Sequence, residues 1–342
     1  MPHASPTIRA IARQLGLSRT TVSEALRGLP RIQHETAMKV CIAAEKAGYH
    51  PNPMASAVMS QIRRASTQSF RGGLAAVNID ESDRPSHARR YHDALIDGAR
   101  ERAAELGYKL QVFLVGQEGV TVERLDGILR SRGIQGLLLL PAWQEPDLTR
   151  LDWSHYAGVY TDYMIERPAL HTIACDHYRS LMAALQHLGR LGFRRPGVFL
   201  HRHHDRRLQH RWEGAFLAYQ RNHRNTGRIP PLVMNEFDRA DFIRWFKRHR
   251  PDVVLGHSTE AIDWITECGA RIPETVGFIC LNVSTVDRPC AGLDFRPHLL
   301  GARSVELLIA QLQRNERGIP SPASITMIPA LWRDGPTLIR RD

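Results

Sequence analysis

The sequence has little of what membrane, secreted and metal-binding proteins are built from. No run approaches the roughly 18 consecutive apolar residues that span a bilayer. The first residues, MPHASPTIRAIARQ, contain no apolar segment of a signal peptide. The five cysteines form no C-x-x-C pair and no zinc-finger spacing. We therefore expect a cytoplasmic protein whose cysteines are small core residues in a reducing compartment.

Motifs of nucleotide chemistry and of hydrolysis are missing as well. There is no P-loop and no G-x-G-x-x-G fingerprint, and the segment 256–260 lacks the second glycine of a nucleophile elbow. The histidine-rich run 201–207 invites a zinc site, but a stable site needs three or four convergent ligands, and four arginines crowd this run once Arg211 is counted. We expect no enzyme activity, no cofactor and no metal, and we interpret the run as a flexible basic loop beside a pocket.

What the sequence does contain is a basic amino-terminal part. The chain has 342 residues, enough for two or three domains, and a formal net charge of +11. Residues 1–64 hold nine Lys and Arg but only three Glu. This excess favours a module that binds phosphates, although a solvated basic helix bundle would show it too.

Apolar spacing in this part predicts three short helices. Ile8, Ile11, Ala12 and Leu15 follow the spacing of one helix face, and Thr7 precedes them as an N-cap. Gly16 then breaks the pattern, as a tight turn requires, and Ser18 can cap a second helix. The inner residues expected for the second and third helices are Val22, Ala25, Leu26, Ala37, Val40, Cys41 and Ala44, with Gly48 ending the third. Two short helices joined by a glycine turn form the helix-turn-helix unit.

The second helix of such a unit enters the major groove of DNA. Its outward residues here are Arg19, Thr20, Ser23 and Glu24. Arg19 can donate two hydrogen bonds to guanine, Glu24 can accept one from cytosine, and Thr20 can contact a thymine methyl or a phosphate. The alternative is that Arg19 and Glu24 merely occupy a solvated face.

A further short helix is predicted at 51–62. Asn52 can cap it, Pro53 suits its first position, and about two turns are too short for a stable isolated helix. Val58 and Met59 are apolar residues that such a short helix cannot bury by itself. We therefore expect the segment to fold on contact with DNA and to insert a wedge into the minor groove. A plain linker is the alternative, and 63–73 is polar, basic and glycine-ended as a linker would be.

Three segments, Thr7–Ala12, Gly16–Leu26 and Gly48–Pro53, closely resemble the DNA-binding head of the lactose-repressor (LacI/GalR) family. The resemblance implies that Arg19, Thr20 and Glu24 read bases and that Val58 stands where the family has a leucine wedge. The full set of DNA-binding residues that we expect is Thr7, Ser18, Arg19, Thr20, Thr21, Ser23, Glu24, Arg27, Asn52, Ala55, Val58 and Met59.

The remaining 270 or so residues alternate apolar strands with amphipathic helices. Strands are predicted at 74–79, 110–115, 136–140, 197–200, 253–255 and 276–281, and helices at 95–106 and 122–132. Continuous apolar strands between helices indicate parallel sheets covered on both faces. The predicted fold is therefore an all-α helix-turn-helix head followed by an α/β bilobal domain with two Rossmann-like parallel-sheet subdomains and a ligand crevice between them.

The family resemblance extends over this region more loosely, through segments such as Arg132–Leu137, Leu188–Phe193 and Pro251–Val254. It implies a periplasmic-binding-protein-like effector and dimerisation domain over 74–342. Its N-subdomain would comprise about 74–165 and 297–326, and its C-subdomain about 166–296 and 327–342. The helix-turn-helix domain would end near residue 50.

The same resemblance implies an effector pocket. Arg211 matches the family's effector-clamping arginine, a fork that suits hydroxyls or a carboxylate. Asp162 matches a pocket acid, Tyr91 an aromatic at the pocket mouth, and Asn282 replaces an aspartate that pairs with sugar hydroxyls. The family's usual Asn-Asp pair appears here as Ser258-Thr259, preceded by His257. These departures leave open a ligand other than a simple hexose, or a pocket that has lost its ligand.

These features predict a homodimeric repressor that binds double-stranded operator DNA and responds to a carbohydrate-like small molecule. Alternatives are a sugar-binding protein without a DNA role, which would lack the basic head, and an enzyme with an appended head, which would need a phosphate-cradling loop. A third alternative is an activator or a ligand-independent regulator with a degenerate pocket. Neither the effector nor the operator can be read from the sequence.

Overall fold

The computed structural model describes residues 8–26, 32–47, 71–79, 81, 88–116, 119–161, 166–223 and 226–341. The chain divides into two compact units, residues 1–69 and residues 70–342. The predicted wedge helix at 51–62 and most of the predicted linker fall outside the described residues. In the described part, no helix is both long enough and apolar enough to cross a membrane.

The described residues of the amino-terminal unit form three helices, α1 (Ile8–Leu15), α2 (Arg19–Ala25) and α3 (His34–Lys46). Gly16 adopts a φ of 64°, and the Leu17 amide donates to the Ala12 carbonyl at 3.0 Å, so the chain turns tightly between α1 and α2. The buried core consists of Ile11, Ala12, Val22, Ala25, Val40, Ala43 and Ala44. The predicted helix-turn-helix is therefore confirmed.

One inner residue of the third helix was predicted wrongly. Cys41 is exposed, and Ala43 takes a place in the core beside Val40 and Ala44. These three buried residues follow the i, i+3, i+4 spacing of a helix face, whereas residue 41 is turned about 100° away from residue 40.

The second unit begins with an all-parallel sheet of order β11-β5-β4-β3-β1-β2. Its strands are β1 (Gly72–Ile79), β2 (Tyr108–Val115), β3 (Gly136–Leu139), β4 (Ala157–Thr161), β5 (His171–Cys175) and β11 (Ile325–Ile328). Helices α4 (Ala88–Glu105) and α11 (Pro297–Arg314) cover one face, and α5 (Val122–Ser131) covers the other. We call this sheet with its helices the first lobe.

Two glycines let the covering helices of the first lobe touch. A Cβ atom on Gly98 of α4 would lie 2.0 Å from the His298 carbonyl oxygen, and one on Gly301 of α11 would lie 2.0 Å from the Leu95 carbonyl oxygen. Because no side chain fits at either position, the backbones of α4 and α11 approach each other closely.

The second lobe is a sheet of order β12-β10-β9-β8-β6-β7, parallel except for the edge strand β12. Its strands are β6 (Pro196–His201), β7 (Leu232–Met234), β8 (Val253–Gly256), β9 (Gly277–Cys280), β10 (Ala291–Asp294) and β12 (Leu331–Arg333). Its helices are α6 (His177–Arg190), α7 (Arg202–Arg207), α8 (Arg211–Asn222), α9 (Arg239–His249) and α10 (Ala261–Glu267). Two parallel-sheet lobes confirm the predicted fold class.

The chain crosses between the lobes three times, and two crossings differ from the expected subdomain boundaries. The first boundary was expected between residues 165 and 166, but it lies after β5. Val159 of β4 pairs with His171 of β5, so β5 still belongs to the first sheet. The boundary expected at 326 and 327 lies after Ile328, since β11 is still a first-lobe strand. The third crossing, at Phe295 before α11, lies close to the expected residue 297. The first strand also begins at Gly72, two residues before the expected start of the domain.

Candidate functional site

The amino end of α2 is organised by its cap. The Ser18 hydroxyl accepts a hydrogen bond from the Thr21 amide at 3.0 Å and lies 2.8 Å from the Thr21 hydroxyl. This satisfies one of the amides that a helix start leaves exposed and leaves the positive end of the helix dipole at that face. A positive helix end suits a polyanion such as DNA.

The structure locates only part of the predicted DNA-binding set. Ser18 is exposed beside Thr21, and Glu24 is half-buried further along α2. Arg19, Thr20 and Ser23 belong to α2 by their backbone, but their side chains lie outside the described atoms. Outside the described residues lie Thr7, Arg27, Asn52, Ala55, Val58 and Met59. Their roles stay predictions.

Three of the predicted effector residues meet at a buried aromatic centre in the second unit. The Phe295 ring lies at a crossing between the lobes and contacts Tyr91 of α4 with centroids 6.5 Å apart. It also stacks on Trp212 of α8 at 5.9 Å, and Trp212 contacts His257 at 5.6 Å. Arg211 borders a cavity together with His177, whose ring contacts Trp212 and Phe295. Tyr91, Arg211 and His257 therefore border the same region, where the effector is predicted to bind.

The two other predicted effector residues that the structure describes, Ser258 and Asn282, make local hydrogen bonds. Ser258 accepts from the Glu260 amide at 3.3 Å, and the Asn282 side chain accepts from the Ser284 amide at 3.1 Å. Both residues follow the carboxyl ends of neighbouring strands and make local caps there. Asp162 lies outside the described residues.

Several residues of the cleft were not predicted as effector contacts. Around the Phe295 centre the structure adds His177, which contacts both Trp212 and Phe295 at 5.1 Å. It also adds His204, whose ring lies 4.6 Å from that of His257. The Arg207 guanidinium lies 4.9 Å from the centroid of the Trp143 ring. We call Trp143, His177, His204, Arg207, Arg211, Trp212, His257 and Phe295 the cleft cluster.

The histidine-rich run was misinterpreted as a loop. Residues 202–207 form helix α7, directly after strand β6. A helix start after a parallel strand is the normal continuation of a βαβ unit, and the run contains no glycine or proline to prevent it. The signal that could have identified its role was this position at the carboxyl end of a strand, where ligands of open α/β sheets bind.

Helix α7 joins the lobes through Trp143, which belongs to the first lobe. The His203 Nε2–H donates to the Trp143 carbonyl oxygen at 2.7 Å, and the two rings lie 4.9 Å apart. The first lobe holds this tryptophan in place, because the Trp143 and Gln144 amides donate to the Glu81 carboxylate at 2.5 and 2.7 Å. We call this contact between the lobes the latch.

Burial and positive charge together shape the chemistry of the cleft cluster. The pKa of His177 is lowered to about 3, first by burial and then by His257, Arg211 and Arg207. Burial also sets the pKa of His204 well below its usual value, with His257 and Arg207 acting in the same direction. His177 and His204 are therefore neutral at pH 7, and Arg207 and Arg211 supply positive charge.

The space inside the cluster is small. A cavity of ≈ 20 Å³ is bordered by Cys175, His177, Arg207, Leu208, Arg211 and Met327. A volume of this size holds about one water molecule. This cavity is therefore too small for a sugar ring.

A group of potential metal ligands lies beside the cluster. Asp205, His210 and Glu213 each place one ligand atom within 4.8 Å of the others. However, Asp205 already accepts from the Trp212 amide at 3.0 Å and lies 3.4 Å from His210 Nδ1. Burial raises the pKa of this carboxyl group. The arrangement works as a cap that fixes the start of α8 and hence Arg211.

Family models match a segment of each unit. A family model described as bacterial regulatory proteins, lacI family, matches residues 7–52, and one described as a periplasmic binding protein-like domain matches 185–333. The HTH-type transcriptional regulator CelR of Thermobifida fusca is 27% identical over 146 residues, 43% of this chain. The chain thus matches only 40% of the length of that relative.

Solved structures share the fold over nearly the whole chain. The transcriptional regulator CelR in complex with cellobiose matches with a TM-score of 0.59 and 20% identity, over 97% of this chain and 99% of the other. The lac repressor dimer bound to operator and the anti-inducer ONPF matches with a TM-score of 0.56 and 18% identity, over 98% and 99%. At these identities the match supports the two-unit architecture.

Proposed function

We propose that the chain is a regulator of the lacI family, whose model matches residues 7–52, and that it binds operator DNA as a homodimer to repress genes of carbohydrate use. A small molecule bound between the two lobes controls this repression. One observation carries the proposal. The same chain contains a capped helix-turn-helix and a two-lobed domain, whose cleft lies where the chain crosses between the lobes. A protein acting on chromosomal DNA in this way works in the cytoplasm.

The proposed DNA binding is based on helix α2. Its capped amino terminus presents the backbone of Arg19 and Thr20 at the helix start, where the second helix of such a unit contacts base edges. The basic excess of residues 1–64 supplies the phosphate contacts that hold the helix in register. We propose that the segment 51–62, with Val58 and Met59 as the wedge, orders against the minor groove between two half-sites.

The proposed control by a ligand is based on the three chain crossings between the lobes. Because the chain passes between the lobes at three places, a ligand in the cleft contacts both lobes and changes their relative orientation. Only a difference in affinity for the two arrangements shifts the equilibrium between DNA-binding states. The CelR–cellobiose complex and the operator-bound lac repressor have the same architecture, which supports a carbohydrate-like effector here.

A second candidate is a regulator with the same DNA role but no effector. The cavity of ≈ 20 Å³ at the cleft cluster favours it, because this space is too small for a sugar ring. In that case the latch would be permanent, and small molecules would leave the affinity for DNA unchanged.

Selection of bound fragments from a random DNA pool by the full-length protein tests the proposal and separates the two candidates. We expect enrichment of a two-fold symmetric site with half-site centres about 34 Å apart. Repeating the selection with a panel of candidate effectors should then release DNA for at least one compound. Enrichment that no compound alters would favour the second candidate, and the absence of any enriched site at moderate salt would overturn the DNA role.

A further inference from the structure

Three side chains that can bind a metal ion converge where helix α7 ends and helix α8 begins. Asp205 belongs to α7, His210 directly precedes α8, and Glu213 lies in the first turn of α8. The His210 Nδ1 atom lies 3.4 Å from Asp205 Oδ2 and 3.6 Å from Glu213 Oε2. All three ligand atoms lie within 4.8 Å of one another. We call these three residues the corner cluster.

The backbone between the two helices brings these side chains together. Gln209 and His210 have φ angles of 54° and 55°, and the His210 amide donates to the Asp205 carbonyl oxygen at 2.8 Å. The chain therefore turns back sharply after α7 and places residue 210 beside residue 205. Because Glu213 follows His210 by three residues, it lies on the same side of the start of α8.

The two oxygens of the Asp205 carboxylate have different surroundings. Oδ1 accepts from the Trp212 amide at 3.0 Å and so caps α8. Oδ2 is buried, and in the described part of the chain no donor makes a hydrogen bond to it. Because Asp205 is only 1% exposed, water does not replace the missing donor, and burying an ionised oxygen in this way costs free energy. Capping thus leaves one buried carboxylate oxygen directed at the other two ligands.

The spacing of the ligand atoms fits zinc. Zn²⁺ binds histidine nitrogen and carboxylate oxygen at about 2.0–2.2 Å, so a tetrahedral site separates its ligand atoms by about 3.3–3.6 Å. Both distances from His210 Nδ1, 3.4 and 3.6 Å, fall in this range. The side chains of His210 and Glu213 are 58% and 30% exposed, so an ion can enter from solvent. Rotation of Glu213 can shorten its distance to Asp205.

We propose that Asp205, His210 and Glu213 bind a zinc ion, with water as the fourth ligand. The Trp212 amide orients the Asp205 carboxylate, as hydrogen bonds to metal ligands commonly do. Because the ligands come from α7 and α8, the ion fastens the corner between these helices and stabilises the second lobe. The inference goes beyond the proposed function, since neither DNA nor an effector takes part in the site.

Zinc titration of the full-length protein, without a histidine tag and freed of metal by a chelator and dialysis, tests the inference. A chromophoric chelator that competes for the ion reports both the affinity and the number of ions bound. We expect one zinc ion per chain to bind at micromolar zinc and to raise the midpoint of thermal unfolding. Cobalt(II) in the same site should give the visible absorption of a four-coordinate ion without a thiolate charge-transfer band, because the ligand set contains no cysteine.

Variants show which residues hold the ion. His210→Asn removes the imidazole but keeps a residue that tolerates positive φ, and Glu213→Gln removes one carboxylate. Each should weaken zinc binding at least tenfold and abolish the thermal shift. Asp205→Asn keeps an acceptor for the cap of α8 and should weaken zinc binding as well. The matched control is His155→Asn, because the exposed His155 lies 3.3 Å from Asp152 but belongs to no group of three ligands in the described residues; it should change zinc affinity less than twofold.

Three outcomes would overturn the inference: no zinc bound at micromolar concentrations, zinc binding that the variants of the corner cluster leave unchanged, or equal losses in the His155 control. The first would mean that His210 only forms an ion pair with the two carboxylates. Circular dichroism checks the folding of each variant, and if Asp205→Asn fails to fold, His210→Asn and Glu213→Gln decide. DNA selection tests the repressor role separately, because the corner cluster and α2 belong to different units.

Discussion

The imidazole of His203 lies 2.7 Å from the carbonyl oxygen of Trp143 and thereby ties the second lobe to the first. The same helix places Arg207 over the Trp143 ring. The latch is therefore built from one residue of the first lobe and one helix of the second. We expect its strength to set how readily the cleft opens.

Opening of the latch gives the first prediction. Trp143→Ala removes the ring contacts with His203 and Arg207, each worth about 0.5–1.5 kcal/mol. We expect the second unit to open more often, so that its radius of gyration in small-angle X-ray scattering increases. The control is Tyr178→Ala, since Tyr178 is an exposed aromatic on α6. Identical scattering from Trp143→Ala and the wild type would mean that the latch does not hold the lobes together.

The crossing of α4 and α11 gives the second prediction. Gly98→Ala forces a Cβ atom against the His298 carbonyl oxygen, a backbone atom that cannot move away cheaply. We expect a loss of about 1–3 kcal/mol or more in the free energy of unfolding, as for overpacked cores. Gly127→Ala in α5 is the matched control, because no atom lies within 4 Å of the added methyl group. It should be neutral or slightly stabilising, by up to about 1 kcal/mol. Thermal unfolding of both variants measures the difference, and equal midpoints would contradict the close packing.

The pH dependence of stability gives the third prediction. His177 has its pKa lowered to about 3 in the folded protein, against an ordinary value near 6.5. The unfolded chain therefore binds the proton first as pH falls, and stability present above pH 6.5 is lost between 6.5 and 3. At pH 5 the loss from this residue is about 2 kcal/mol.

The variant His177→Phe tests this residue, because it keeps an aromatic ring and removes the titrating group. It should lose less stability than the wild type between pH 7.5 and pH 5 in urea unfolding. His155→Phe, on an exposed turn of the first lobe, serves as the control and should keep the wild-type slope. An unchanged slope in His177→Phe would show that the acid sensitivity has another origin.

The cap of α2 gives the fourth prediction. Ser18→Ala removes the acceptor of the Thr21 amide and should cost about 1 kcal/mol of stability in the amino-terminal unit. Ser18→Asp restores a cap, but its negative charge faces the phosphates, so it should fold well and bind DNA more weakly. Circular dichroism and DNA binding by both variants separate the two effects. Equal DNA affinities for Ser18→Asp and the wild type would place Ser18 away from the phosphates.

Local sequence patterns predicted most of the architecture. The spacing of Ile11, Val22 and Val40 predicted the core of the first unit, and Gly16 predicted its turn. Continuous apolar runs predicted strands such as β3, β8 and β9 because these are buried on both faces. Strand β5, which lies between β11 and β4, was missed because it begins with His171 and Thr172 and reads as a polar segment before its apolar end.

The site was predicted less completely, for a physical reason. Tyr91, Arg211 and His257 were recognised one by one from positions in a family pattern, and the structure brings them to one centre. His177, His204 and Phe295 follow no local spacing that marks a site, since the cleft joins segments more than 100 residues apart. Only the three crossings of the chain bring those segments together.

The reading of DNA by α2 is tested most directly by measuring Arg19→Ala on the selected site and on all its single-base variants. We predict a loss of about 1–3 kcal/mol on the selected site, with discrimination relaxed at one base pair and unchanged elsewhere. Arg13→Ala, an exposed cation of α1, should preserve the base preference. A uniform loss across every sequence in Arg19→Ala, equal to that in Arg13→Ala, would contradict base reading by this helix.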